Sequence, residues 1–288
     1  MQTAVLGAGS MGHGIAQVLA MAGHDVTMRD VDDERVQAGL DSVEANLSKG
    51  VDLGKVSEAD REATLDRLAG ATDLDAAVRD ADLVVEAVPE EMDLKRSVFA
   101  EVDDAAPADC VFATNTSSLS VTELASSVSH PERFVGAHFF NPPHLMDLVE
   151  VIRAEQTDDD TEAFVVDLLE EAGKTCVVVE DFPGFATSRL GVAIGAEAIR
   201  MVEQGVAEPA AIDRAMVEGY NFPVGPLELT DRVGLDVRLH ILQYLREELG
   251  ERFHPPALLK RKVRAGKLGV KSGEGFYRWE DGERVDRD

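Results

Sequence analysis

A glycine-rich turn close to the N-terminus constrains the fold of this chain more than any other feature. Gly7, Gly9 and Gly12 follow a short apolar run, TAVL, and lead into a helix-like stretch over residues 11–22. A second strand-like run, DVTMR, comes next, and this order of elements is typical of a βαβ unit. In such a unit the three glycines permit a tight turn, a close approach of a pyrophosphate to the backbone, and close packing of helix on strand.

The same turn predicts a dinucleotide site. Its expected cofactor-binding residues are Gly7, Ala8, Gly9, Ser10, Met11 and Gly12. Asp30 ends the second strand, where a carboxylate can accept hydrogen bonds from an adenosine ribose. Asp30 and Asp32 would repel an additional phosphate, so the pattern favours NAD over NADP. The alternative is that Asp30 only caps the following helix.

The rest of the chain alternates apolar runs with amphipathic stretches, and then becomes helical. We predict further strands over residues 83–87, 111–114, 134–138, 148–152 and 175–179. Predicted helices between them cover residues 33–49, 58–68, 94–102 and 162–172. Such alternation indicates a largely parallel sheet that is covered on both faces.

Beyond residue 181 helical patterns dominate, and they cover residues 186–203, 209–217, 227–232, 235–249 and 256–265. We therefore expect an α/β fold with an NAD-binding Rossmann domain at residues 1–182, followed by an all-α substrate and dimerisation domain at residues 183–288. The boundary is expected at the segment from Asp181 to Gly184. The charged end after Trp279 is expected to fray.

Charge limits the possible partners. The chain has 28 Lys and Arg against 55 Asp and Glu, a formal net charge of −27. Nucleic-acid binding depends on clustered basic side chains, so this balance excludes DNA and RNA as partners. The acidic residues are scattered over many segments. Because concentrated counterions screen their mutual repulsion, we expect a surface adapted to high salt.

Apolar runs and cysteines bear on the compartment. No apolar run approaches the roughly 20 residues that span a bilayer, and the N-terminus leads directly into a strand, so we expect neither a membrane segment nor a signal peptide. Cys110 and Cys176 stand far apart and outside any CxxC pattern. We expect buried thiols in a reducing cytoplasm. The histidine spacing predicts no metal site.

Several motifs occur together in one order along the chain. They are the turn at 7–12, LVVEAVPE at 83–90, NTSSL at 115–119, HFFNP at 138–142, the segment 181–190, GPLE at 225–228, GLD at 234–236 and GEGFY at 273–277. Together they resemble the 3-hydroxyacyl-CoA dehydrogenase family over essentially the whole chain. The resemblance implies NAD-dependent oxidation of the (S)-hydroxyl of a 3-hydroxyacyl-CoA, with short chains such as 3-hydroxybutyryl-CoA expected. It also implies a homodimer formed by the helical domain, and an active site in the crevice between the domains.

The resemblance also implies roles for individual residues. His138 would accept the proton of the substrate hydroxyl, and Glu150 would orient the imidazole. Ser117 and Asn141 match residues that hydrogen-bond substrate and cofactor near the reacting carbon. The other matching positions are Glu90, Lys95 and Lys271 for the cofactor, and Asn46, Lys55 and Ser188 for the CoA substrate. Ser188 stands where the family usually has Asn, a side chain thought to contact the acyl carbonyl.

Ordinary structural roles compete with these assignments. His138 could be a structural histidine at a strand end, Ser117 could cap a turn, and Lys95 could be a solvated helix residue. The other six histidines lack a comparable carboxylate partner in the sequence. Two other functions also remain open: a dehydrogenase of a free hydroxy acid such as gulonate or carnitine, and a catalytically silent NAD-binding protein.

Overall fold

The first unit of the chain is organised around one eight-stranded sheet. The structure is a computed structural model that describes residues 1–285, and the chain divides into two units, Met1–Phe182 and a second that begins at Pro183. The strands are β1 (Gln2–Leu6), β2 (Asp25–Arg29), β3 (Leu68–Ala71), β4 (Leu83–Glu86), β5 (Val111–Thr114), β6 (Phe134–Phe139), β7 (Leu148–Arg153) and β8 (Thr175–Glu180). They lie in the order β3-β2-β1-β4-β5-β6-β7-β8. This order confirms the predicted Rossmann architecture.

Helices connect the strands of this unit. They are α1 (Ser10–Met21), α2 (Asp33–Asp52), α3 (Glu58–Leu65), α4 (Leu74–Val78), α5 (Met92–Ala105), α6 (Val121–Ala125) and α7 (Asp159–Glu171). Five of them begin after a side chain that accepts a hydrogen bond from their first turn: Asp32, Ser57, Asp73, Ser120 and Asp158. Such caps satisfy backbone amides that have no partner within the helix.

The prediction of one helix over residues 58–68 was wrong at its C-terminal end. The helix stops at Leu65, and residues 68–71 form the edge strand β3 beside β2. The sequence LAGA contains no β-branched residue, so its pattern did not indicate a strand. Pairing with β2 decides its conformation, and a Cβ added at Gly70 would lie 2.5 Å from the side chain of Val36.

One pair of neighbouring strands departs from the parallel arrangement. Among the described residues, the neighbouring strands of this sheet run parallel except β6 and β7, which are antiparallel. The register of this pair sets His138 directly opposite Glu150. Directly opposed residues project to the same face of a sheet, so the topology brings the two side chains together.

The second unit is mostly helical, as predicted. Its helices are α8 (Thr187–Glu203), α9 (Pro209–Tyr220), α10 (Pro226–Val233), α11 (Leu235–Leu249) and α12 (Ala257–Arg264). Their inner faces, together with Trp279, form one hydrophobic cluster that includes Ile199, Leu227 and Leu242. Apolar burial of this kind is the main force that stabilises such a unit.

The prediction that the chain frays after Trp279 was wrong as far as Val285. Trp279–Glu280 and Glu283–Arg284 form two short antiparallel strands, β9 and β10. The buried carboxylate of Asp231 accepts hydrogen bonds from the amides of Phe276 and Tyr277 and from the indole of Trp279. These bonds attach the terminal segment to α10. The remainder of that charged end, residues 286–288, lies outside the described residues.

The structure bears on membrane-spanning helices and on the burial of the two cysteines. Within residues 1–285, no helix is both long and apolar enough to cross a bilayer. Both cysteines are unpaired thiols, Cys110 fully buried and Cys176 partly so. Burial raises the pKa of Cys110 to about 12 and that of Cys176 to about 11. Because the thiolate is the reactive form, neither thiol is suited to nucleophilic chemistry.

Candidate active site

The glycine-rich turn leads from the end of β1 into the first turn of α1. Gly7 has φ of 103°, and a Cβ there would lie 2.6 Å from the carbonyl oxygen of Ala87. At Gly12 a Cβ would lie 1.7 Å from the carbonyl oxygen of Gly7. These contacts admit only glycine at both positions. At Gly9, by contrast, no described atom lies within 4 Å of the Cβ position.

The N-terminus of α1 can bind an anion at this turn. Gly9 precedes the helix, and within the described residues no side chain caps its first turn. Uncapped amides together with the helix dipole favour a phosphate group. The open space at Gly9 lets such a group reach the backbone, so the turn fits the pyrophosphate of a dinucleotide.

Asp30 supports this turn from the end of β2. Its carboxylate accepts hydrogen bonds from the amides of Ala8 (2.8 Å) and Val31 (2.7 Å). Asp32, not Asp30, caps α2 by accepting a bond from the amide of Arg35. The cap alternative for Asp30 is therefore wrong. A carboxylate held beside the turn fits the ribose-binding position of a dinucleotide site.

A buried pair of side chains stands out on β6 and β7. Nδ1 of His138 lies 2.8 Å from Oε2 of Glu150. The His138 side chain is 8% exposed and that of Glu150 is fully buried. The ring of Phe140 packs against the imidazole, with 4.6 Å between ring centroids. A buried carboxylate that accepts a bond from Nδ1 sets the orientation and the tautomer of the ring.

Two other histidines also have carboxylate neighbours, which the sequence did not reveal. Nδ1 of His130 lies 3.1 Å from Glu132, and Nδ1 of His254 lies 3.2 Å from Glu251. The side chains of these histidines are 51% and 47% exposed. Exposed pairs are screened by water and hold a side chain only loosely. Burial distinguishes the pair at His138 from both.

The loop after β5 is held by Glu90. Oε1 of Glu90 accepts hydrogen bonds from the hydroxyl of Thr116 (2.6 Å) and from the amide of Ser117 (2.9 Å). In the same loop, Oδ1 of Asn115 accepts a bond from the amide of Phe139, next to His138. Ser117 therefore lies in a loop that is bonded both to the loop after β4 and to β6.

Asn141 follows β6 and lies close to the glycine-rich turn. The hydroxyl of Ser10 donates a hydrogen bond of 3.4 Å to Oδ1 of Asn141. A Cβ added at Gly14 would lie 2.7 Å from the ring of Pro143, so the loop after β6 packs directly on α1. The structure thus brings Asn141, the turn and the strand of His138 to one end of the sheet.

Lys95 lies in a buried environment that the sequence did not indicate. Its side chain is fully buried, and Nζ lies 2.7 and 2.9 Å from the two carboxylate oxygens of Glu86. Oε2 of Glu90 lies 3.6 Å from the same Nζ atom. Lys95 is therefore no solvated helix lysine. Its ammonium bonds to protein groups beneath the loops after β4 and β5.

Glu86 is a functional candidate that the sequence reasoning missed. It is fully buried at the end of β4 and also accepts bonds from the hydroxyl of Thr114 and the amide of Val88. Burial raises its pKa, and the bonds from Lys95, Thr114 and Val88 oppose that rise. A lone carboxylate within the apolar run LVVEAV was the available signal.

The remaining predicted residues lie elsewhere. Asn46, on α2, donates a hydrogen bond to Gln17, and Lys55 lies between α2 and α3. Ser188 and Lys271 belong to the second unit, where Ser188 lies in the first turn of α8 and Lys271 forms an ion pair of 2.6 Å with Asp236. Within the described residues no cluster of three or more metal-ligating side chains occurs.

Sequence families and known structures agree with this geometry. The family described as "3-hydroxyacyl-CoA dehydrogenase, NAD binding domain" matches residues 2–182, and the corresponding C-terminal domain matches residues 184–279. A probable 3-hydroxybutyryl-CoA dehydrogenase of Deinococcus radiodurans is 44% identical over 97% of this chain and 100% of its own length. One of Bacillus subtilis is 43% identical over 97% and 98%.

A crystal structure extends the likeness to three dimensions. The (S)-3-hydroxybutyryl-CoA dehydrogenase PaaH1 of Ralstonia eutropha is 39% identical and superposes with a TM-score of 0.94 over 97% of this chain and 99% of its own. The similarity therefore covers both units and the whole length of the relatives. The chain belongs to the 3-hydroxyacyl-CoA dehydrogenase family of NAD-dependent enzymes.

Proposed function

We propose that this enzyme oxidises the 3-hydroxyl of a short-chain 3-hydroxyacyl-CoA, such as 3-hydroxybutyryl-CoA, with His138 as general base. The observation that carries the proposal is the buried contact of 2.8 Å between His138 and Glu150. It lies in the unit that also contains the dinucleotide turn. The relatives of Deinococcus and Bacillus, both named as probable 3-hydroxybutyryl-CoA dehydrogenases, support the short-chain substrate.

The chemistry divides between the cofactor and the protein. Bound NAD supplies a hydride acceptor for the hydrogen on C3 of the substrate. Because the Glu150 carboxylate can only accept from Nδ1, the neutral imidazole of His138 has its basic lone pair on Nε2. Nε2 takes the hydroxyl proton as the C3–O bond becomes a carbonyl. Glu150 then stabilises the imidazolium that forms.

Ser117 and Asn141 are proposed to position the reactants. Ser117 lies in the loop whose amides bond to Glu90, and Asn141 accepts a hydrogen bond from Ser10 beside the glycine-rich turn. Both residues can therefore contribute polar groups from ordered loops. Fixed donors near a reacting carbonyl stabilise the charge that develops there.

Cofactor binding is proposed for the turn from Gly7 to Gly12 and for Asp30. Lys95 and Glu90 are proposed to act as positioning residues, because the former is fully buried and the latter accepts bonds from the loop after β5. Direct contacts of Asn46, Lys55 and Ser188 with CoA, and of Lys271 with the cofactor, stay predictions.

A comparison of substrates tests the proposed reaction. We expect acetoacetyl-CoA with NADH, and 3-hydroxybutyryl-CoA with NAD, to be turned over in concentrated KCl. Free 3-hydroxybutyrate, carnitine and gulonate should react at least 100-fold more slowly in kcat/KM, because remote binding energy from CoA is used at the reacting carbon. Faster turnover of a free hydroxy acid would replace the proposal with that activity. Absence of any turnover, with NADH still bound, would indicate a catalytically silent protein.

A homodimer formed by the helical unit is also proposed. Leu190 and Ile194 on α8 and Val237 on α11 are exposed apolar side chains of that unit, and Leu190 is 64% exposed. Apolar surface of this kind favours association with a second copy. We expect light scattering in high salt to show a species of twice the 31.1 kDa chain mass. A monomer at every concentration up to about 100 µM would contradict the proposed dimer.

A further inference from the structure

The end of β6, which carries His138, extends beyond one of the two strands beside it. β5 pairs with β6 as far as Thr114, which lies opposite Gly136. β6 continues to Phe139, and on its other edge β7 accompanies it to that residue. Among the described residues, the last part of β6 therefore has a neighbouring strand on one edge only. Backbone groups on the other edge need partners from elsewhere.

Asn115 supplies such a partner to the amide that follows His138. It is the first residue after β5, and its Oδ1 accepts a hydrogen bond of 3.0 Å from the amide of Phe139. Phe139 is 3% exposed, so water has little access to its surroundings. A buried amide that loses its acceptor bears the full cost of desolvation. The side chain of Asn115 therefore takes the place of a neighbouring strand at the end of β6.

The backbone of Asn115 is itself fixed by buried groups. Its amide donates to the carbonyl oxygen of Glu86 at 2.7 Å, and its own carbonyl oxygen accepts a bond of 3.4 Å from Nζ of Lys95. The same Nζ atom forms the buried ion pair with the Glu86 carboxylate. Because both its amide and its carbonyl are bonded to this pair of residues, Asn115 presents Oδ1 from a fixed position.

Asn115 also begins the loop that contains Ser117. The hydroxyl of Thr116 and the amide of Ser117 both donate to Oε1 of Glu90, at 2.6 and 2.9 Å. Only one residue lies between Asn115 and Ser117, and that residue is fully buried. The contact with Phe139 therefore connects the strand of the proposed base to the loop of a proposed substrate contact.

We propose that Asn115 is a positioning residue for the reaction, whose Oδ1 fixes the end of β6 so that Nε2 of His138 stays aimed at the substrate hydroxyl. This role rests on the proposed function, in which His138 is the general base. Glu150 orients the imidazole ring, whereas Asn115 holds the backbone that carries it and acts through the amide of Phe139. A base must lie within hydrogen-bond reach of its proton, and a misplacement of about 1 Å can reduce the rate about 100-fold.

Two variants that each remove a buried partner at opposite ends of β6 test this role. Asn115→Leu keeps the approximate size of the side chain and removes the acceptor of the Phe139 amide. Thr157→Val is the matched control. The buried Thr157 hydroxyl donates to the carbonyl oxygen of Phe134 at 2.6 Å and accepts from the amide of Ala154 at 2.9 Å. Both changes leave buried backbone groups without a partner, so both should lower the urea midpoint of unfolding.

The two variants should differ in turnover. With 3-hydroxybutyryl-CoA and NAD, we expect Asn115→Leu to lower kcat by about 10- to 100-fold. The value is taken on the high-pH plateau of the pH profile, where the imidazole is neutral. The Kd of NADH should change little, because the dinucleotide turn lies on β1 and α1. Thr157→Val should keep the native kcat, since it acts at the end of β6 that is remote from His138.

Asn115→Asp tests the acceptor itself. The carboxylate retains an oxygen for the Phe139 amide, and a charged acceptor forms the stronger bond, so the plateau kcat should return close to the native value. Native kcat in Asn115→Leu, an equal loss of kcat in Thr157→Val, or Asn115→Asp as slow as Asn115→Leu would each overturn the positioning role. If Asn115→Leu does not fold, Asn115→Ala removes the same acceptor and is judged by the same outcomes.

The variant His138→Gln separates this role from the proposed function. If His138→Gln loses kcat while Asn115→Leu retains it, the positioning role alone is wrong. If His138→Gln keeps the native kcat, or the native chain does not reduce acetoacetyl-CoA, the proposed function is wrong and the positioning role is overturned with it. Loss of kcat in both variants, with native kcat in Thr157→Val, is the result that we expect.

Discussion

Replacing His138 by Gln is expected to reduce kcat for 3-hydroxybutyryl-CoA by a factor of about 100 to 10,000, the usual contribution of a general base. Gln retains hydrogen-bonding capacity but cannot accept the hydroxyl proton. NADH affinity, followed by fluorescence, should change little, because the dinucleotide turn lies on β1 and α1. Loss of rate with retained cofactor binding is the signature of a group used in the chemical step.

Two further variants belong to this experiment: Glu150→Gln tests the partner of His138, and His130→Gln is the control. Gln at position 150 can donate to Nδ1 and so favour the wrong tautomer, and we expect a large loss of kcat without unfolding. His130 has a carboxylate neighbour at 3.1 Å but is exposed, so its replacement is the matched control and should leave kcat unchanged. Equal rates for the His138→Gln variant and the native enzyme would remove His138 from the mechanism.

Replacing Lys95 by Met is expected to reduce the free energy of unfolding by about 3–5 kcal/mol, the cost of breaking a buried ion pair. The change leaves the Glu86 carboxylate buried with bonds only from Thr114 and Val88 among its described partners. Urea titrations followed by circular dichroism would measure the loss. The double variant Glu86→Gln/Lys95→Met is the control, and it should recover most of the stability.

The loss should also depend on pH in a defined direction. Burial already raises the pKa of Glu86, and removal of Lys95 raises it further. The folded state of the variant then binds a proton more readily than the unfolded state. The contribution of Glu86 to its stability is therefore greatest below the ordinary carboxyl pKa and is lost as pH rises through the raised one. A deficit that is equal at pH 5 and pH 8 would contradict this account.

The dinucleotide turn and the order of elements could be predicted from the sequence because both depend on local patterns. Gly12 is required by a contact within the turn, with the carbonyl oxygen of Gly7, and such a contact recurs wherever a strand, a turn and a helix follow one another. The helices beyond residue 183 were predicted for the same reason, since their apolar periodicity is local. The strand at 68–71 escaped prediction because its pairing with β2, not its composition, makes it a strand.

The sequence indicated which residues belong to the candidate active site, and the tertiary structure determined their contacts. The family resemblance implied that Glu150 orients His138, but their contact depends on the antiparallel register of β6 and β7. Lys95 was predicted to line the cofactor site, with a solvated helix position as the alternative. The structure excludes the solvated position and shows a buried ion pair with Glu86. Neither prediction considered a buried lysine, because burial of a charge is set by distant residues that pack around it.

The amino-acid sequence by itself determined the βαβ start, the two-part organisation and the family of this chain. Each depends on residue types at short spacings, which survive whatever surrounds them. Tertiary structure alone decided that Glu86 neutralises Lys95 and that Asn115 bonds to the amide of Phe139. These properties follow from desolvation and from contacts between elements that are far apart along the chain, and no local pattern encodes them.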